Sequence, residues 1–332
     1  MTVPEALHRQ SWTLSALQRH ADNPSAFLAL NGGNEYFRVE GVDGYVCYRE
    51  HGKRWIQFGG PFTDEANRAR LQRDFLEQAH ASRRKVVGVQ LQRADAELLA
   101  ELGLTVNQVG ASYAVELAGH TLRGKKFVSL RNKISRALRA GLEIEEADPA
   151  AVADDLAQID RQWLHEKGKH TKELAFLIGE IGGPWQPLRK LFVGRIAGEP
   201  IGYVSYAPVF GSRPGWLHDL SRRLPTCPPG VMEAINAHVI EHVKELGAAW
   251  LHFGFTPFTT LDESYRLPTA SRAAAKIITL LAEHGDRVYP AKSQLEYKMK
   301  WNPTVVLPEY FAFDGGISPR SLWSVLRVTN IV

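Results

Sequence analysis

Residues 193–206 read VGRIAGEPIGYVSY: two apolar arms flank Ala197-Gly198-Glu199, and that pattern predicts a β-hairpin. Working outward, 190–196 supplies the first arm, 216–220 continues the sheet, 231–246 is a helix closed by Gly247, and 250–253 is a returning strand. A helix over 150–166 precedes the hairpin. A helix over 271–283 and a last strand over 295–300 follow it. The first part of the chain has the same succession. Short strands fall at 35–39, 45–48 and 55–58, followed by a helix over 65–82 carrying Leu71, Phe75, Leu76 and Ala79 at helical spacing. A buried strand at 85–91, a short helix at 94–102 and a strand at 112–117 complete it. The expectation is an α+β protein of two similar domains, each with its own sheet: residues 1–120, then a linker over 121–141, then residues 142–332. The tail after Pro303 reads as irregular.

The chain has 332 residues, 44% apolar and 23% charged, enough to bury sizeable cores and far from a disordered composition. Its net charge of +4 is mild and admits a polyanionic partner only where the cations cluster. Two distant cysteines, Cys47 and Cys227, give neither a disulfide framework nor a paired-thiol metal site, which fits a reducing compartment. The first residues lack the apolar run of a signal peptide, and no window has the length of apolar sequence that crosses a bilayer. A cytoplasmic protein is expected, with any membrane contact peripheral to the inner face.

The cations do cluster in the linker. Arg123, Lys125, Lys126, Arg131, Lys133, Arg136 and Arg139 fall in a stretch without an acidic residue. Phe127, Leu130, Ile134 and Leu138 follow helical spacing and would anchor one face, leaving Lys133, Arg136 and Arg139 on the other. A merely solvated helix usually mixes signs, because Glu–Lys pairs four apart support it. An unmixed cationic face attracts phosphates, whether of RNA or of a phospholipid surface.

Rival chemistries are weaker. His238-Val-Ile-Glu241-His242 puts two histidines on one helix face, as in a zinc site, but that face also carries core residues and no third ligand is identifiable, so no metal is expected. No Gly-x-Ser-x-Gly elbow is present. Cys227 beside Arg222 and Arg223 could form a thiolate, though a bland loop cysteine is the simpler reading. Trp185, Phe210, Trp216, Phe255 and Phe258 could stack bases or fill the core.

The hairpin at 193–206 with the following 230–254 resembles the central part of the GNAT acyltransferase fold. More specifically, Asp219-Leu-Ser-Arg222-Arg223-Leu-Pro, Pro229-Gly230-Val-Met-Glu and His252-Phe-Gly254-Phe-Thr-Pro257 resemble the catalytic region of the aminoacyl-phosphatidylglycerol synthases. Residues 26–30, the linker from Gly124 to Leu142, and Tyr297-Lys298-Met-Lys300-Trp-Asn-Pro303 extend the resemblance over nearly the whole chain, in order. It implies two GNAT-like domains joined by a basic helix, and a transferase that takes an aminoacyl group from charged tRNA, with no other cofactor. Asp219 and Arg222 match the family's Asp-x-x-Arg pair and are expected to be catalytic. Lys298 and Lys300, on one face of the last strand, are expected to bind substrate. Lys125, Lys126, Lys133, Arg136 and Arg139 are expected to bind tRNA. The acceptor is a phosphatidylglycerol-like lipid or a small hydroxyl or hydroxylamine metabolite.

Coenzyme A is a poorer donor. Where GNAT enzymes offer backbone N–H groups to its pyrophosphate, residues 222–230 place Pro228 and Pro229, which have none. An acyl-CoA-dependent enzyme and a non-catalytic RNA-binding protein are the alternatives. The chain departs from the family pattern at Ser221, at 258–262 and at 167–176, which weakens the lipid acceptor relative to the aminoacyl donor.

Overall fold

A computed structural model describes residues 5–167, 174–284 and 291–331; most of the divergent 167–176 segment, residues 168–173, lies outside the described residues. The first half runs α1 (Glu5–His20), β1 (Glu35–Phe37), β2 (Gly44–His51), β3 (Arg54–Thr63), α2 (Glu65–Ala81), β4 (Lys85–Leu91), α3 (Arg93–Glu101) and β5 (Thr105–Glu116). A helical turn at Lys125–Phe127 leads into α4 (Val128–Arg139). The second half runs β6 (Leu142–Glu146), α5 (Ala153–Lys167), β7 (Lys190–Ile196), β8 (Glu199–Val209), β9 (Gly215–Arg223), α6 (Val231–Glu245), β10 (Trp250–Pro257), α7 (Arg272–His284), α8 (Ala291–Met299), β11 (Val305–Phe313) and α9 (Pro319–Val328).

The deciding hairpin forms as read. Ala197 and Gly198 have φ of 51° and 82°, the left-handed pair that lets a two-residue turn match the twist of β7 and β8. In each half a helix returns the chain to a parallel neighbour, α2 between β3 and β4 and α6 between β9 and β10.

The expected two sheets are one. Eleven strands run in the order β1-β2-β3-β4-β11-β5-β10-β9-β8-β7-β6. β5 pairs antiparallel with β10, from Glu116 opposite Trp250 to Gly110 opposite Pro257, so each half supplies the edge the other would leave open. The tail is equally a correction. β11 inserts between β4 and β5 of the first half, and α9 covers β2 and β3. Pro308 speaks against a central strand, but here it lies next to a register shift between Glu309 and Tyr310 that absorbs it.

The strand expected over 295–300 is helical, within α8 and just beyond it. Its stretch AKSQLEYKM contains no β-branched residue and is rich in good helix formers. Phe127 just before α4, and Leu130 and Ala137 within it, are buried whereas Leu138 is 51% exposed, so the small Ala137 takes the place expected of Leu138 against α6.

Candidate functional site

β9 and β10 pair over only three positions: Gly215 with Trp250, Trp216 with Leu251, and Leu217 with His252. Beyond that point β9 stays with β8 to Arg223, while β10 stays with β5 to Pro257. The strands therefore part, and the ladder between them ends in an unpaired gap, or slot. Both are irregular where they separate. Gly254, with φ of 62°, sits where β10 shifts register against β5. On β9, Ser205 faces Leu220 and Tyr206 faces His218, leaving Asp219 as a bulged residue with no partner.

That bulge decides the motif's geometry. Residues three apart on a regular strand point to opposite faces; the extra residue turns Asp219 and Arg222 to the same one. They do not pair with each other there, contrary to the simplest expectation for an Asp-x-x-Arg strand end. Arg222 Nη1 lies 2.8 Å from Asp160 Oδ2 of α5, and its guanidinium stands 5.2 Å from the Trp163 ring. Tyr203 donates to the other Asp160 oxygen at 2.6 Å. Asp219 Oδ2 lies 3.9 Å from Arg189 Nε, and both side chains are almost fully buried. The Gly179 N–H donates to the Asp219 carboxylate, and the approach leaves no room for a Cβ at Gly179. Burial pushes the Asp219 carboxyl up to about 6, against the opposing pull of Arg189.

The same cluster ties the halves together. Arg189 Nη2 donates to Asn31 Oδ1 at 2.6 Å, and Asn31 Nδ2 to the Ile178 carbonyl at 2.9 Å. The Gly32 N–H donates to Glu180 at 3.0 Å.

On the opposite face of β9 stands His218, which sequence reasoning passed over. Its ring is enclosed by Tyr206, Phe253 and Tyr297, at centroid distances of 5.4, 5.9 and 5.8 Å. Nδ1 lies 3.2 Å from Asn236 Oδ1, which also accepts the Tyr206 hydroxyl at 2.7 Å. Burial pushes this imidazole down to about 4. The only signal in the sequence was a histidine next to the motif aspartate, and its place at the slot depends on where β9 and β10 part.

Lys298 is not a solvent-facing strand residue. α8 delivers it into the core, where Nζ donates to the carbonyls of Gly254 and Phe255 at 2.8 and 3.1 Å, past the last β9–β10 pair. Burial lowers its pKa to about 7, countered by Glu309. Glu309, pushed up to about 8 by burial, accepts from Gln92 at 2.9 Å and from the Ser112 hydroxyl. Lys300 follows α8 and donates to Glu233 Oε1 at 2.9 Å, an oxygen 3.6 Å from Lys133 Nζ.

Of the expected phosphate-binding cations, Lys125, Lys126, Lys133 and Arg136 line one open trough of about 550 Å³ together with Asn132 and Pro229. Arg139 is outside that lining, and its Nε donates back to the Ser135 carbonyl at 3.2 Å. α4 also crosses the start of α6. Gly230, at φ of 98°, meets the Lys133 carbonyl too closely for any Cβ. The Lys133 backbone thus packs against the cap of α6, and Glu233 sets a carboxylate in its first turn, an unfavourable setting for a pyrophosphate.

His238 and His242 set their rings edge-on to Phe192, at 6.0 and 5.4 Å, and Glu241 turns to Lys244. Among the described residues, no group of three or more His, Cys, Asp or Glu could hold a metal. Cys227 is buried, which pushes its thiol up and away from a reactive thiolate. Trp185 is core, whereas Phe210, Trp216, Phe255 and Phe258 are half-buried. α7 buries only Ala274 and leaves Ile277 and Leu280 each 58% exposed beside exposed Arg272 and Lys276. Among the described residues no helix is long and apolar enough to cross a membrane.

A sequence profile described as the C-terminal region of phosphatidylglycerol lysyltransferase matches residues 14–313. The phosphatidylglycerol lysyltransferase of Bacillus subtilis is 24% identical over 298 residues, covering 83% of this chain and 34% of that protein. A lysylphosphatidylglycerol biosynthesis bifunctional protein of Mycobacterium tuberculosis is 25% identical over 230 residues, covering 68% of this chain and 19% of its own length. The chain thus spans about a third or less of these relatives. The fold is shared with the L-PGS structure from Bacillus licheniformis, at a TM-score of 0.77 and 22% identity over 98% of this chain and 96% of that one. It is also shared with a C-terminal DUF2156 domain from Agrobacterium fabrum, at 0.78 and 23% over the same shares.

Proposed function

This chain belongs to the phosphatidylglycerol lysyltransferase C-terminal family, and from that membership we propose that it moves an aminoacyl group from charged tRNA to a hydroxyl of a phosphatidylglycerol-like lipid. The observation that carries the reading is the family match over residues 14–313, which includes the whole parted region of β9 and β10. Three features support its parts. The N-terminus of α6, preceded by Pro228 and Pro229 and carrying Glu233 in its first turn, is unsuited to a coenzyme A pyrophosphate. The trough at Lys125, Lys126, Lys133 and Arg136 suits the phosphates of a tRNA. The uncovered aliphatic and cationic face of α7 suits peripheral contact with an anionic lipid surface.

The aminoacyl ester is already activated, so the protein's task is orientation and charge placement. Holding ester and hydroxyl in line contributes roughly 7–11 kcal/mol. Asp219 and Arg222 are essential to this arrangement in the proposal: one fixes β9 to the segment at Gly179 and Arg189, the other to α5, so together they set the wall of the slot. Lys298 holds the facing strand through the carbonyls of Gly254 and Phe255. No covalent enzyme intermediate is involved, consistent with the buried, protonated Cys227.

The test is transfer of label from a pool of aminoacyl-tRNAs to phosphatidylglycerol vesicles, with small hydroxyl and hydroxylamine acceptors and acetyl-CoA in parallel. Labelled lipid is the expected product. Label only on a small acceptor would move the acceptor assignment. Turnover of acetyl-CoA with none of any charged tRNA would overturn the reading. Retention of tRNA with its ester intact beyond background hydrolysis would make this an RNA-binding protein.

A further inference from the structure

The Asp219 face of β9 is sealed: the Asp219 and Arg222 side chains are 2% and 3% exposed. A hydroxyl that attacks an ester has to lose its proton, and neither group is placed to receive it. The opposite face is different. His218 is the first residue of β9 beyond the last pair with β10, Leu217 with His252, so it stands where the slot opens. Tyr206 O–H donates to Asn236 Oδ1, and His218 Nδ1 lies 3.2 Å from the same oxygen; the tautomer that satisfies this contact carries its hydrogen on Nδ1 and leaves Nε2 as the acceptor nitrogen. Nε2 has no hydrogen-bond partner among the described residues and is not one of their fully buried unsatisfied atoms, although Tyr206, Phe253 and Tyr297 enclose the ring.

We propose that His218 accepts the proton of the acceptor hydroxyl during aminoacyl transfer and returns it to the leaving group. The inference rests on the function proposed above and adds a catalytic residue to it. In the first step the acceptor oxygen bonds to the ester carbonyl carbon. Its O–H bond breaks towards His218 Nε2, and the carbonyl electron pair moves to oxygen. In the second step that pair re-forms the carbonyl and the bond to the ribose oxygen of the tRNA breaks. The departing oxygen takes the proton from Nε2. Nothing is oxidised or reduced.

The surroundings suit this role. Lys298 reaches the region from α8, Tyr206 and Tyr297 present ring edges, and no carboxylate is among the groups that shift the titration of His218. Burial, reinforced by the charge of Lys298 and opposed by the Asn236 contact, holds the imidazole at a pKa of about 4, so it is unprotonated near neutral pH.

The experiment is single-turnover transfer from charged tRNA with enzyme in excess, comparing wild type, His218→Gln and His218→Ala. Glutamine retains an amide N–H for Asn236 but offers no basic nitrogen. Its transfer rate at saturating acceptor should fall by roughly 10²–10⁴-fold, the usual worth of a general base, with charged-tRNA affinity unchanged. Added imidazole should restore part of the rate to His218→Ala, which a purely structural histidine would not allow. A His218→Gln enzyme within threefold of wild type overturns the assignment and leaves the transferase reading standing. A His218→Ala enzyme that is folded by circular dichroism, slow, and indifferent to imidazole overturns it too. A wild type inert with every charged tRNA overturns both.

Discussion

One residue of register places the candidate site. Without the bulge at Asp219, that carboxylate and Arg222 would face opposite sides of β9, and His218 would not stand opposite the pair at the slot. Burying Asp219 has a thermodynamic signature. Its folded pKa of about 6 is raised above the usual aspartate value of 3.8, so the folded state holds this proton more tightly than the unfolded one. The associated stability is full below about pH 4 and is lost as pH rises through about 6. Relative to Asp219→Asn, which does not titrate, wild type should therefore lose about 3 kcal/mol of stability over the whole titration, about 2 kcal/mol of it between pH 4 and 6. Denaturant melts of both proteins at half-unit pH steps measure this. A gap that does not change over the window would mean that Asp219 ionises as if exposed. In the transfer assay the same variant should lose most activity, with Cys227→Ala, whose thiol no step uses, as the active control.

At the scale of elements, α4 does two things with different residues. Phe127, Leu130 and Ala137 fasten it against α6, and its carbonyl at Lys133 covers Gly230. Lys125, Lys126 and Arg136 remain to line the trough, while Lys133 shares Glu233 with Lys300. Replacing Lys125, Lys126 and Arg136 together with Glu should weaken tRNA binding and reduce the slope of log K against log salt by up to about 3, since each phosphate contact contributes about 0.9. Arg139→Glu alone, outside the trough, should change the slope by less than one contact. Filter binding across a salt series distinguishes them, and an unchanged slope in the triple variant would return α4 to a solvated surface role. The helical period made this segment legible in advance. It could not show that Leu138 faces solvent, because Ala137 and Leu138 are neighbours and only packing against α6 chooses between them.

Over the whole molecule, hairpin strands, a helix and a parallel strand follow one another in each half, and the two halves exchange edges. β11, from the far end of the chain, completes the sheet of the first half, and β5 closes the second half along β10. Residues 1–141 alone would leave β4 and β5 without the strand between them, and residues 142–332 alone would expose one side of β10 and both sides of β11. Neither piece should give a cooperative unfolding transition when produced separately, and a chain cut after Asn302 should fail in the same way. Circular dichroism melts of the three proteins check this; a cooperative, monomeric first piece would show that β11 is dispensable to it.

The sequence by itself determined the hairpin at 193–206, the helices read at 65–82 and 231–246, the cationic segment and the family to which the chain belongs. These depend on local periodicity, turn chemistry and ordered motifs, all of which are written along the chain. Only the tertiary structure decided the single sheet, the insertion of β11, the helical placement of Lys298, and the separation of Asp219 from Arg222. In each case the choice lies between partners distant in sequence. Pro308 argues against a strand until a register shift accommodates it, and Lys298 meets the Gly254 and Phe255 carbonyls only once α8 packs against β10. The bulge that turns Asp219 exists only because β8 is paired beside it.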